Sequence, residues 1–120
     1  MKILIVEDEK NITKYAKLLL EKQGHQVEVT DNAREAISLF SRFIPDVVIV
    51  DFYLNDEFLG LQIIAEISKL SGTVKIIVNS REPRERVEDR LKDYPVFAYM
   101  EKPVSIEDLT SKIEEAQKDK

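Results

Sequence analysis

The sequence predicts an α/β domain in which a doubly wound, five-stranded parallel sheet is covered by five flanking helices. Three observations predict it. Ile3 to Val6, Val47 to Val50 and Val74 to Val78 are continuous apolar runs, the mark of strands buried on both faces. Between the strands lie stretches with apolar residues at helical spacing. The two patterns alternate along the whole chain, and such alternation requires crossovers and hence parallel strands. Crossovers are right-handed, so helices on both faces require the chain to reverse direction across the sheet once.

The elements follow in order. The run from Ile3 to Val6 ends in Glu7-Asp8. A helix from Asn11 to Lys22 places Ile12, Ala16, Leu19 and Leu20 on one face, and Gly24 stops it. Val27 and Val29 alternate with polar residues in a second strand. The next helix carries Ala36, Ile37, Phe40 and Phe43 and runs to Pro45. The third strand, Val47 to Val50, ends at Asp51. Leu61 to Leu70 is helical, carries Ile63, Ile64 and Ile67, and stops near Gly72. Val74 to Val78 ends at Asn79-Ser80. The charged segment Arg84 to Asp93 has only Val87 and Leu91 as anchors, so a loosely held helix is expected. Val96 to Met100 is the fifth strand. Ser105 with Asp108 resembles a capping box for a last helix bearing Ile106, Leu109 and Ile113.

Composition narrows the function. A chain of 120 residues has room for one domain, residues 1–120, and any DNA-binding or catalytic output domain would need more. The chain therefore acts alone or is one domain of a longer protein. A net charge of -5 provides no basic excess for a nucleic-acid backbone, so no direct nucleic-acid binding is expected. The absence of cysteine excludes disulfides, thiolate metal sites and cysteine nucleophiles. No apolar run approaches membrane-spanning length and no signal-peptide pattern opens the chain, so the default expectation is a cytoplasmic protein without membrane contact. His25, the single histidine, falls in a loop-like stretch and reads as a surface residue.

Ligands of open parallel sheets bind outside the carboxyl ends of the strands, where the chain reverses. Glu7 and Asp8 follow the first strand, Asp51 the third, Ser80 the fourth and Lys102 the fifth. If the first and third strands are neighbours, three carboxylates converge, and packed carboxylates repel unless a cation joins them. Oxygen-only ligands suit Mg²⁺. A lysine and a hydroxyl supply positive charge and a donor for a phosphoryl group, and a carboxylate can itself be the nucleophile.

At these residues the chain resembles the receiver domain of two-component response regulators. The resemblance runs through Ile3-Leu4-Ile5-Val6-Glu7-Asp8-Glu9, Asn32-Ala33-Arg34-Glu35-Ala36, Pro45-Asp46-Val47-Val48-Ile49-Val50-Asp51, Ile76-Ile77-Val78-Asn79-Ser80 and Tyr99-Met100-Glu101-Lys102-Pro103. It implies a flavodoxin-like strand order 2-1-3-4-5 and a single-domain, chemotaxis-regulator-like switch. It implies that Asp51 accepts a phosphoryl group from a histidine kinase or phosphotransfer protein, with Lys102 and Ser80 contacting that group. Glu7, Asp8, Asp51 and the carbonyl of Tyr53 would hold Mg²⁺. Ser80 and Tyr99 would switch together, Lys102-Pro103 would be cis, and a protein target would read the fourth helix, fifth strand and fifth helix. A monomer or a phosphorylation-dependent dimer is implied.

Three departures from the family pattern are legible. Arg81 stands where a small residue is usual, and it could obstruct a phosphodonor, pair with a site carboxylate or point into solvent. Asn55 replaces a common proline, Gly60 arrives one residue late, and Asp56 and Glu57 add charge, which predicts a reshaped loop. Pro95-Val96 replaces a common Gly-Ala pair, predicting a stiffer approach to Tyr99. In the family, the positions of Tyr53 and Glu82 tune the lifetime of the phosphoryl group, and the bulk of Tyr53 is expected to shield it. The competing reading is a phosphorylation-independent docking module. A small-molecule phosphohydrolase is disfavoured because no second acid stands two residues after Asp51, and a nucleotide site because no glycine-rich phosphate loop exists.

Overall fold

The three inner strands form because apolar, largely β-branched runs can be covered on both faces at once, while the two edge strands are only partly covered. The five strands are β1 (Lys2–Val6), β2 (Gln26–Thr30), β3 (Val47–Asp51), β4 (Lys75–Ser80) and β5 (Val96–Glu101). The helices are α1 (Lys10–Lys22), α2 (Ala33–Phe43), α3 (Leu59–Leu70), α4 (Arg84–Leu91) and α5 (Ile106–Lys118). The structure is a computed structural model, and it describes residues 1–54 and 59–119. The expected loop changes at Asn55, Asp56 and Glu57 lie outside the described residues.

All strands are parallel, in the order β2-β1-β3-β4-β5. The chain therefore steps outward from β1 to β2, then returns past β1 to β3, and the reversal falls between β1 and β3. Leu4, Val6, Val48, Val50, Ile76 and Val78 point to one face, where α2, α3 and α4 cover them. Ile3, Ile5, Val47, Ile49 and Ile77 point to the other, covered by α1 and α5. The alternation of strand side chains thus divides one apolar run between two cores.

Helix ends follow local chemistry. Asn32 Oδ1 accepts from Glu35 N at 2.9 Å and Ser105 Oγ from Asp108 N at 3.0 Å, each satisfying an N–H that the helix leaves unpaired. Gly24, at φ 95°, closes α1. The helix expected to reach Pro45 instead ends at Phe43, with Ile44 left-handed at φ 54°. A residue before proline is pushed out of the right-handed helical region, which explains the earlier stop. On α1 the buried line is Thr13, Ala16 and Leu20, whereas Ile12 is 43% exposed. On α5 Ile106 is 42% exposed while Ile113 is buried. Ile12 and Ile106 line a groove of about 620 Å³ between α1 and α5 instead of the core.

The helices are held unequally. α3 buries Ile63, Ile64 and Ile67 almost completely, at roughly 1.5–3 kcal/mol per side chain, whereas α4 buries only Val87 and Leu91. Next to the reversal, α3 begins against the end of β3. A methyl group on Gly60 would run into the Asp51 carbonyl oxygen and stand 2.6 Å from Phe52 Cα and 2.7 Å from Phe52 O. These are backbone atoms of the strand end, and they cannot turn aside. Gly60→Ala is therefore expected to destabilise the fold by about 1–3 kcal/mol or more, measured by urea denaturation. A change below a few tenths of that would refute the close approach.

Candidate functional site

The strand ends beside the reversal bring together residues that are far apart in sequence. β1 delivers Glu7 and Asp8, β3 delivers Asp51, and the turn after β5 delivers Lys102. One carboxylate oxygen from each of Glu7, Asp8 and Asp51 lies within 4.8 Å of the other two. Glu7 is 3% exposed and Asp51 5% exposed, so both carboxylates are withdrawn from bulk water. Lys102 enters between them, with Nζ 2.6 Å from Glu7 Oε1 and 2.9 Å from Asp51 Oδ2. The Lys102–Pro103 bond is cis.

The crowding has an electrostatic signature. Glu7 is pushed up from 4.5 to about 7, first because burial strips its hydration and next because Asp51 faces it, with Lys102 acting against both. Burial alone would depress Lys102, but its pairing with Glu7 and Asp51 prevails and the net direction is upward. The other Glu7 oxygen accepts from Asp8 N at 3.0 Å and Glu9 N at 3.4 Å, so the carboxylate is held by its own turn as well. Such a donor set can hold a metal ion. Three carboxylate oxygens within 4.8 Å of one another are hard oxygen donors of the kind Mg²⁺ takes.

Around this centre lie the other sequence candidates. Ser80 ends β4, is 3% exposed, and its Oγ accepts from Glu82 N at 3.0 Å. Its carbonyl accepts from Lys102 N at 2.8 Å, tying the turn after β5 to β4. Tyr99 sits on β5 opposite Val78, half-buried, with the Arg84 guanidinium 5.5 Å from its ring centroid. Burial, then the nearby Glu88, pushes the Tyr99 phenol up. A cavity of about 10 Å³ separates Ser80, Val87 and Tyr99, roughly room for one water. Tyr53 joins through its backbone, with N donating to Asp51 Oδ1 at 3.2 Å, while its hydroxyl donates to Glu82. Burial, then that bond, raises the Tyr53 phenol.

Of the three readings of Arg81, the structure is nearest the third, a side chain in solvent. Arg81 pairs with Glu9, beside the carboxylate cluster and not within it, and remains 71% exposed. An ion pair so exposed contributes little stability. His25 lies at the opposite end of the sheet, its Nδ1 3.0 Å from the Met1 amino group, and burial followed by that charge lowers it. Sequence reasoning missed Arg90, whose Nη1 donates to the Tyr53 hydroxyl at 3.3 Å. Nothing in the charge pattern of α4 separates Arg90 from its neighbours; the contact exists only because the fold brings the last turn of α4 beside the segment that follows β3. Among the described residues, no helix is long and apolar enough to cross a membrane.

The family model of the response regulator receiver domain matches residues 3–114. The chain belongs to this family. A receiver domain is a phosphoacceptor of two-component signalling rather than a conventional enzyme, and the acidic pocket of Glu7, Asp8 and Asp51 is consistent with that role. The receiver is 32% identical over 116 residues to the virulence transcriptional regulatory protein PhoP of Salmonella choleraesuis, covering 95% of this chain and 50% of that protein. It is 31% identical over 115 residues to the transcriptional regulatory protein TrcR of Mycobacterium tuberculosis, covering 94% of this chain and 44% of that one. The chain thus spans about half the length of the curated relatives it matches. Among solved structures it resembles the CheY-like receiver domain protein of Methanospirillum hungatei, with TM-score 0.87 and 27% identity over 99% of this chain and 98% of that one. The response regulator TrrA of Thermotoga maritima, solved in complex with Mg(2+)-BeF, gives TM-score 0.82 and 27% identity over 96% of this chain and 97% of that one.

Proposed function

We propose that residues 1–120 form one receiver domain that takes a phosphoryl group onto Asp51 from a histidine kinase or phosphotransfer protein and relays the change to a protein target. The observation that carries this reading is the buried meeting of Asp51 with Glu7, Asp8 and Lys102 at the reversal of the sheet. An Asp51 oxygen attacks phosphorus, the P–N bond to the donor imidazole breaks, and the imidazole leaves with the electron pair. Lys102 stands where it can offset charge on the transferring oxygens, and Ser80 can donate its hydroxyl proton to one of them. Glu7, Asp8, Asp51 and the Tyr53 carbonyl are the proposed Mg²⁺ ligands. When bound, Mg²⁺ would neutralise charge on the phosphoryl group and the carboxylates.

The donor must bring its phosphohistidine against Asp51. The apolar groove between α1 and α5, which ends at Glu7 and Lys102, offers a surface for it beside the site. On the output side, Ser80 and Tyr99 are the proposed switch pair, and α4, β5 and α5 form the proposed target face. The few apolar anchors of α4 support its being the element that moves. The TrrA complex with Mg(2+)-BeF supports Mg²⁺ as the proposed cofactor and makes beryllofluoride with Mg²⁺ a suitable probe of the site. Incubation with a phosphorylated kinase or acetyl phosphate and Mg²⁺, followed by intact mass, tests the reading. Absence of a phosphoryl adduct, together with no response to beryllofluoride, would leave a docking module in its place.

Metal binding should depend on pH in a defined direction. Below about 7 Glu7 carries a proton, which a bound cation must displace. Apparent Mg²⁺ affinity is expected to rise with pH up to about 7, approaching tenfold per unit on the acid side, and then to level. Stability without metal runs the other way. The folded state holds the Glu7 proton more tightly than the unfolded chain, so this contribution is full below 4.5 and is lost as pH rises through about 7. Calorimetric titration with Mg²⁺ across that window checks the affinity; a flat profile would contradict the raised Glu7.

A further inference from the structure

Resting on the proposed phosphorylation of Asp51, a second connection from the site to α4 becomes visible. Tyr53 N donates to Asp51 Oδ1, and the hydroxyl of the same residue donates to Glu82 Oε1. Glu82 N in turn donates to Ser80 Oγ. Asp51 and Asn79, the residue before Ser80, are register partners, and Phe52 N donates to Asn79 O at 2.9 Å. Asp51, Tyr53, Glu82 and Ser80, together with the backbone of Phe52 and Asn79, thus close a ring of hydrogen bonds and covalent links between the ends of β3 and β4. Arg90 Nη1 donates into the ring at the Tyr53 hydroxyl, from the last turn of α4.

We propose that Tyr53, Glu82 and Arg90 are positioning residues that carry the state of Asp51 to the C-terminal end of α4, in parallel with the Ser80–Tyr99 pair. The bonds run in one sense, from the Arg90 cation through the Tyr53 hydroxyl to the Glu82 carboxylate, so each polarises the next. The resting Ser80 hydroxyl takes its bond from Glu82 N. Turning Ser80 towards a phosphoryl group disturbs that bond, and Glu82 cannot follow without pulling on Tyr53 and Arg90. Exposed contacts of this kind are individually weak. They suffice here because α4 has only Val87 and Leu91 buried, so a small bias shifts its equilibrium. The two ends of α4 are attached separately: Arg84, at its start, stacks on Tyr99, and Arg90, at its end, reaches Tyr53.

The test is hydrogen exchange across α4 with and without saturating beryllofluoride and Mg²⁺, in wild type, Arg90→Gln, Tyr53→Phe and the double variant. The expected result is that Arg90→Gln cuts the response of the last turn of α4 at least about threefold while the turn at Arg84 keeps its own. The double variant should be no worse than either single change, because both cut one chain. A wild-type response at both ends in Arg90→Gln, or additive losses in the double variant, would overturn the relay. A wild type that ignores beryllofluoride would instead sink the proposed function, and this inference with it.

Discussion

Asp51→Asn is expected to take up no phosphoryl group, a loss of about a thousandfold or more in labelling rate by phosphorylated kinase or acetyl phosphate. An amide matches the carboxylate in shape but lacks the negative oxygen that attacks phosphorus. It also removes one of the three carboxylates that surround the proposed cation. The fold should survive, because asparagine keeps an oxygen to accept from Tyr53 N, and the loss of one buried negative charge relieves Glu7. Intact mass reads the adduct, and thermal unfolding reads the fold. Labelling of the variant at the wild-type rate would remove Asp51 from the mechanism.

The second large effect belongs to Lys102→Met. The lysine is the cation that faces both buried carboxylates, and its side chain is 9% exposed. Removing one partner of a buried ion cluster leaves charge unpaired, at a cost of about 3–5 kcal/mol. The cost should be largest well above pH 7 without Mg²⁺. Lys102 acts against protonation of Glu7, so in the variant Glu7 takes its proton at a higher pH than in wild type; as pH falls the repulsion with Asp51 is relieved and the variant should approach wild type. Added Mg²⁺ should restore part of the loss by supplying the missing positive charge. Phosphorylation should also slow by about a hundredfold to a thousandfold, as when one preorganised charge-stabilising group is lost. Urea denaturation on both sides of pH 7, with and without Mg²⁺, checks the sign. A stability loss that is independent of pH and of metal would point to packing alone.

The fold was legible because its determinants are local and periodic. Continuous apolar runs at β1, β3 and β4 and the polar residues that end them are visible without coordinates, and the strand order matches the resemblance. That Glu7, Asp8, Asp51 and Lys102 would meet was legible for the same reason: each lies at or just after the carboxyl end of a strand. What helical spacing and hydropathy left open depends on neighbours and on the assembled fold. Ile12 and Ile106 sit at helical spacing with true core residues, but spacing does not say how wide the buried stripe is, and both face the α1–α5 groove. The second helix was expected to run to Pro45, but the residue before a proline leaves the helical region, and Ile44 is left-handed. Arg90 and Glu9 could not be singled out, because their partners Tyr53 and Arg81 reach them only through the assembled strand ends.

The placement of Lys102 between Glu7 and Asp51 also fixes the arithmetic of the site. With all groups ionised, Glu7, Asp8 and Asp51 carry three negative charges and Lys102 one positive, a sum of minus two. A divalent cation brings that sum to zero, and a monovalent cation cannot. A dianionic phosphoryl group on Asp51 replaces one negative charge with two, leaving the filled centre at minus one. On the proposed function, the resting, metal-loaded centre would be electroneutral and the phosphorylated one would not. That single unbalanced charge would be the quantity the rest of the domain has to accommodate.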